Sequence, residues 1–212
     1  MDLGIKGRVA IVTGGSRGIG RETARQFLEE GVRVMISGRN AETIQKTRDE
    51  LAKQTGGEIK CVVADMTKEA DIKKLVDETV KQFGTVDILV NNAGQMYSGR
   101  YAVMTDDGLK EQLETKLFGF IRAIRLVYPI MKAQRWGRIV NLGATSGFVR
   151  THSVYGIAKA ALLTLTESLA LELAPAITVN AVDQYWNTAP VGDYVDITAT
   201  DPNAALPGNA AL

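Results

Sequence analysis

Cysteine and histidine each occur once, as Cys61 and His152, and the two scarcities remove whole classes of chemistry. An intrachain disulfide is impossible, and a zinc site built from several cysteines or histidines cannot be assembled, so no metal is expected. Cys61 lies in the apolar run IKCVVAD, where a thiol is most simply a small buried hydrophobe on a strand. His152 reads as a loop residue at the surface. A charge imbalance is missing too. The 25 basic and 24 acidic residues leave a net charge of +1, too little to draw nucleic acid or anionic lipid. No apolar run approaches the roughly 18 residues of a membrane span. The amino terminus, MDLGIKGRVAIVTGG, carries only a short apolar run with no cleavage-like segment behind it. These absences lead to the expectation of a soluble, cytoplasmic protein whose partner is a small molecule, with neither nucleic acid nor membrane.

What is present has a regular rhythm. The 212 residues, 45% of them hydrophobic, suffice for one well-covered core and are too few to favour two. Short β-branched runs alternate with longer stretches whose apolar residues recur every three and four positions, which is the pattern of βαβ units. Strands are predicted at 9–13, 33–37, 59–64, 86–91, 138–142 and 177–182, and helices at 18–30, 41–54, 68–83, 106–133 and 153–173. The strand runs are nearly continuous in apolar residues rather than alternating, as when helices cover both faces of a parallel sheet. The expected fold is therefore an α/β, doubly wound parallel sheet of Rossmann type. It forms a single domain over residues 1–182, followed by an irregular tail at 183–212. Four of the five prolines fall in the last 38 residues, where periodicity also ends.

The first strand runs into TGGSRGIG at positions 13 to 20 and then directly into a helix. Gly14, Gly18 and Gly20 permit a tight turn and close backbone approach, while Ser16, Arg17 and Ile19 complete a loop whose free amides face an anion at the helix start. A dinucleotide pyrophosphate is the ligand this arrangement suits. The second strand ends ISGRN, with no Asp or Glu between Val32 and Asn40 to accept a bond from a ribose 2′-hydroxyl. Arg39 stands there instead and Arg17 lies within the turn, so two guanidinium groups can close on a 2′-phosphate. NADP(H) is accordingly favoured over NAD(H).

Taken together, TGGSRGIG at 13 to 20, DMT at 65 to 67, NNAG at 91 to 94 and YGIAK at 155 to 159 resemble the short-chain dehydrogenase/reductase family, in its order and spacing, from about Gly7 to Val182. The resemblance implies that Asp65, with Met66 beside it, contacts the adenine ring. It implies that Asn91, Asn92, Ala93 and Gly94 steady the central sheet and line the cofactor ribose. Tyr155 would exchange a proton with the substrate oxygen while hydride passes between substrate and nicotinamide, and Lys159 would lower the tyrosine pKa and bind the ribose hydroxyls. Four-residue spacing on a helix puts both side chains on one face, and a phenol with an ordinary pKa of about 10 needs such a cation to work near neutrality. The implied activity is reduction of a carbonyl or oxidation of a secondary alcohol. The resemblance also implies a homodimer or homotetramer, associating through the helix at 106–133.

Three departures from the family pattern qualify that picture. The serine that usually bonds the substrate oxygen is Ala144 here, which leaves Thr145 or Ser146 as the hydroxyl donor, and Ser146 is the catalytic candidate. The usual asparagine of an NxxG-like segment is Lys116, in KLFG. After the sixth strand the chain reads DQYWNTAP in place of a Pro-Gly turn, so the substrate-covering region is expected to be altered or truncated, with Tyr185 and Trp186 as pocket candidates. The alternative these departures raise is an NADP(H)-binding protein with weak or no catalysis.

Overall fold

The structure, a computed structural model, describes residues 3–94, 103–144, 154–174 and 176–182. Six parallel strands, β1 (Val9–Thr13), β2 (Arg33–Gly38), β3 (Ile59–Val63), β4 (Ile88–Asn91), β5 (Gly137–Leu142) and β6 (Ile177–Val182), form one sheet in the order β3-β2-β1-β4-β5-β6. The chain moves outward from β1 to β3, then crosses back to lay β4 on the other side of β1. Strand order therefore reverses between β1 and β4, and the crevice at the carboxyl ends of these two strands is where a doubly wound sheet binds its ligand.

The helices are α1 (Gly18–Glu29), α2 (Ala41–Thr55), α3 (Glu69–Phe83), α4 (Asp106–Leu113), α5 (Gly119–Gln134) and α6 (Val154–Leu173). Right-handed crossovers put α1 and α2 on one face and α3, α5 and α6 on the other. All five residues of β1 are buried, and they divide by parity. Ala10 and Val12 pack with Leu28, Ile36, Ile44 and Leu51 on the first face. Val9 and Ile11 pack with Leu75, Leu89, Val127 and Ile139 on the second. This two-sided burial is why the strands read as continuous apolar runs. Cys61 lies on β3 as expected, although it is half-buried, and burial raises its thiol pKa.

The sequence pattern and the structure agree on every strand to within two residues. Residues 106–134 are helical throughout, as expected for 106–133, but not uniformly α: a π-helical turn, Glu114–Phe118, lies between α4 and α5. A π turn adds a residue to one turn without spoiling the apolar spacing on either side, so a 3.6-residue period does not reveal it. Lys116 lies in this turn and is its buried residue, with only 2% of it exposed.

At the amino ends of the strands, away from the crevice, Asp87 ties β1 to β4. Its carboxylate accepts from the backbone N–H of Val9 (2.8 Å) and from Arg8 (3.1 Å), and Arg8 stacks on Trp136 at 3.8 Å. Asp87→Ala orphans a buried N–H, which is expected to lower stability by about 1–3 kcal/mol and the melting temperature by about 3–10 °C. Calorimetry checks this; an unchanged melting temperature would show that Asp87 is not a fastening point.

Candidate active site

The loops that follow β1 to β5 line a cavity of about 710 Å³. Its floor is the turn after β1. Thr13 at the strand end donates its hydroxyl to the Val90 carbonyl (3.2 Å) and accepts from the N–H groups of Asn92 (3.0 Å) and Ala93 (3.1 Å). The Asn92 amide returns two bonds, to the carbonyls of Thr13 (2.8 Å) and Gly14 (3.1 Å). These contacts leave no space for side chains. Gly14 has φ +67°, and a Cβ there would lie 2.9 Å from Ala93 Cα, while a Cβ on Gly20 would lie 2.4 Å from the Gly14 carbonyl. Among the described residues no side chain caps the amino end of α1, so its first amides are left for a ligand anion.

Ser37, Gly38 and Arg39, from the end of β2, line the same cavity as Arg17. Ser37 is buried, and its hydroxyl has no hydrogen-bond partner among the described residues. An orphaned hydroxyl at this point suits a ligand that supplies the missing partner. Nearby, Asp65 accepts from the Thr67 backbone N–H (3.0 Å) and hydroxyl (2.8 Å). Burial opposes its charge, but these bonds, with Arg39 and Lys68 in the vicinity, hold its carboxyl below the ordinary range. Met66, also lining, is fixed from behind by α5: a Cβ on Gly119 would lie 2.3 Å from the Met66 carbonyl.

At the other end α6 presents Tyr155 and Lys159 one turn apart. Lys159, 5% exposed, donates to the Leu142 carbonyl at the end of β5 and has its Nζ 5.4 Å from the centre of the Tyr155 ring. Lys116 stands 5.2 Å from the same ring and donates to the side-chain carbonyl of Gln112. Burial, reinforced by the Lys116 charge, brings the Lys159 pKa down to about 7, and burial brings Lys116 down to about 8 against the pull of Glu111. For Tyr155 the direction is opposite to that expected from a neighbouring ammonium. Burial pushes the phenol up.

Of the cofactor-site residues read from the sequence, Gly14, Ser16, Arg17, Gly18, Ile19, Arg39, Asp65, Met66, Asn92, Ala93, Gly94, Tyr155 and Lys159 all line the cavity. Gly20 and Asn91 do not; they stand behind the wall. Gly20 makes room for the Gly14 carbonyl, and Asn91 donates to Asn141 (2.9 Å), which donates in turn to Thr166 on α6 (3.0 Å). Ala144 lines the cavity next to Gly143. Thr145, Ser146, His152, Tyr185 and Trp186 lie outside the described residues. The sequence reading missed Ser37, Gln112 and Thr115. Gln112 was detectable, since it precedes Lys116 by four positions on a helix, whereas nothing local distinguishes Ser37 from other strand serines. No group of three or more potential metal ligands occurs among the described residues. Nor is any described helix long and apolar enough to cross a membrane.

A glycine turn at a strand-order reversal, with a tyrosine and a lysine on the opposite wall of one cavity, defines a dinucleotide-dependent oxidoreductase of Rossmann type. The sequence profile of the short chain dehydrogenases matches residues 8–190, and the chain belongs to that family. It is 39% identical to the uncharacterized oxidoreductase YxjF of Bacillus subtilis over 178 residues, covering 82% of this chain and 69% of the relative. Among solved structures it resembles an NAD+-bound xylitol dehydrogenase (TM-score 0.81, 33% identity, 84% of this chain and 70% of that one). It also resembles L-sorbose reductase from Gluconobacter frateurii in complex with NADPH and L-sorbose (TM-score 0.83, 28% identity, 86% and 71%). The family fold implies a nicotinamide cofactor and a small-molecule substrate.

Proposed function

We propose that the chain reduces a carbonyl compound, or oxidises the corresponding secondary alcohol, with NADP(H) as cofactor, Tyr155 as acid and base, and Lys159 as its electrostatic partner. The observation that carries this reading is the convergence of Tyr155 and Lys159 on the cavity whose other end is the glycine turn. When bound, the nicotinamide supplies or accepts the hydride. The Tyr155 hydroxyl donates its proton to the substrate oxygen as the carbonyl becomes an alcohol, and takes a proton back in the reverse direction. The phenolate left behind is stabilised by the ammonium of Lys159, which its bond to the Leu142 carbonyl holds in place. Leu142, Gly143 and Ala144 form the cavity wall with this pair.

The cofactor preference rests on charge at the end of β2. The xylitol dehydrogenase structure holds NAD+ and the L-sorbose reductase structure holds NADPH, so likeness alone favours neither. Arg39 and Arg17 line the cavity together with the buried Ser37, and the strand end offers no carboxylate to a 2′-hydroxyl. Arg39→Ala is expected to weaken NADPH binding about 10-fold or more and NADH binding by less than about 3-fold, measured by fluorescence titration. An equal effect on both cofactors would overturn the preference.

A second reading, a dinucleotide-binding protein with weak turnover, is favoured by one observation: the cavity wall carries Ala144, which has no hydroxyl to steady a substrate oxygen. A missing donor of this kind slows turnover by about 100- to 1,000-fold without affecting cofactor affinity.

A further inference from the structure

The reaction just described gives Lys116 no role, yet the fold goes to some length to bury it beside the reacting phenol. It is the buried residue of the π turn, and Gly94 makes room for it. A Cβ at Gly94 would lie 3.1 Å from Lys116 Cε and 3.4 Å from Cγ, so the lysine stem occupies space that any other residue there would take. The side chain lines the cavity with Gln112 and Thr115, and its amine bonds to Gln112 while standing 5.2 Å from the Tyr155 ring centre. Lys159 stands 5.4 Å from that ring centre. Two amines thus meet at one end of the cavity. Of the two acidic lining residues, Asp65 lies at the opposite end near Arg39, and Glu111, exposed on α4, offsets only part of the cost of burying the Lys116 ammonium. A neutral ketone entering this end leaves the repulsion that Lys159 feels from Lys116 unrelieved. A substrate carrying its own negative charge near the carbonyl relieves that repulsion, and it offers an acceptor to Lys116 where binding strength is greatest.

We propose that Lys116 is a substrate-binding residue that recognises a carboxylate one or two carbons from the reacting carbonyl, so that 2- or 3-oxo acids and the matching hydroxy acids are the substrate class. The assignment rests on the reading of Tyr155 as the acid and base, because the carboxylate is located relative to a carbonyl held on that hydroxyl. The lysine stem reaches the cavity from α4–α5 and the tyrosine from α6, so a small bifunctional substrate bridges two elements. Chain lengths beyond the oxo acid are set by residues farther out.

The test compares charge at constant shape. With the full chain saturated with NADPH, kcat and KM are measured for 2-oxobutanoate against 2-oxobutanamide, and for 3-oxobutanoate against 3-oxobutanamide. The acid of at least one pair is expected to exceed its amide about 10-fold or more in kcat/KM, mainly through KM. Lys116→Met, which keeps the volume and removes the charge, and Lys116→Gln, which keeps a polar end, are both expected to bring that ratio close to one. Calorimetric binding of butanoate and butanamide to the NADPH-loaded chain gives a readout independent of turnover, with butanoate expected to bind about 10-fold more tightly and the difference to vanish in both variants. Equal handling of acid and amide by the wild-type chain, or a preference that survives both substitutions, would overturn the proposal. A carboxylate preference in binding with no turnover of any ketone would uphold Lys116 as the anion site while refuting the reductase reading on which the substrate class depends.

Discussion

Tyr155→Phe is expected to lower kcat for a ketone substrate by about 10²- to 10⁴-fold, the usual contribution of a positioned general acid. The NADPH dissociation constant is expected to stay within about threefold. The substitution removes one oxygen and keeps the ring, and the ring is what Lys116 and Lys159 approach at 5.2 and 5.4 Å. Packing at this end of the cavity therefore survives while proton transfer does not. Steady-state kinetics alongside fluorescence titration separates the two effects. Full turnover in the variant would remove Tyr155 from the chemistry, and a wild-type chain as inactive as the variant would support the reading of a binder without efficient catalysis.

Lys159→Met is expected to abolish at least 99% of turnover, again within the range of general acid–base effects of about 10²-fold or more, and to stabilise the cofactor-free chain at slightly acid pH. The pKa of Lys159 is about 7 in the folded chain, below its ordinary 10.5, chiefly because burial disfavours the ammonium. Below pH 7 both folded and unfolded chains hold the proton, and the folded chain bears the full cost of an ammonium in its interior. Between about 7 and 10.5 the unfolded chain holds a proton that the folded chain has released, so stability rises with pH. Lys116 acts in the same direction from about 8 upward. At pH 6 the Met variant should be more stable than the wild type by about 1–4 kcal/mol, the range found when buried charge is replaced by apolar packing. The gap should narrow steadily toward pH 9.5. Thermal unfolding of both proteins across that range gives the answer; a gap that stays constant with pH would show that Lys159 is not held in a depressed state. A lysine retained at a cost to stability is the pattern expected of a site arranged for chemistry.

The alternation of elements and the parallel sheet were legible because burial on both faces leaves a direct mark: VAIVT is apolar up to its final threonine, and all five of its residues are buried. The glycine turn was legible for a related reason, since only glycine fits where the Gly14 and Gly20 positions meet Ala93 and the Gly14 carbonyl. What the sequence does not carry is the outcome of tertiary competition. Lys116 stood out as a departure from the family pattern, yet it is buried in a π turn that no periodicity marks, against Gly94 from another loop. The orphaned Ser37 hydroxyl is likewise a fact of packing. Asn91 belongs to a motif whose neighbours line the cavity, but alternation along β4 turns its side chain toward Asn141 instead. The phenol of Tyr155 illustrates the limit most directly: spacing puts a lysine beside it, and only the burial of both groups reveals that the phenol is pushed up and the lysine down.

The central claim is that the cavity at the carboxyl ends of β1, β2 and β4 holds a nicotinamide dinucleotide. Fluorescence titration of the purified chain with NADPH and with NADH tests it most directly. Saturable binding of both, with NADPH the tighter by about 10-fold, is the predicted result, on the basis of one charge-assisted phosphate contact. No saturable binding of either would contradict the account from the glycine turn upward.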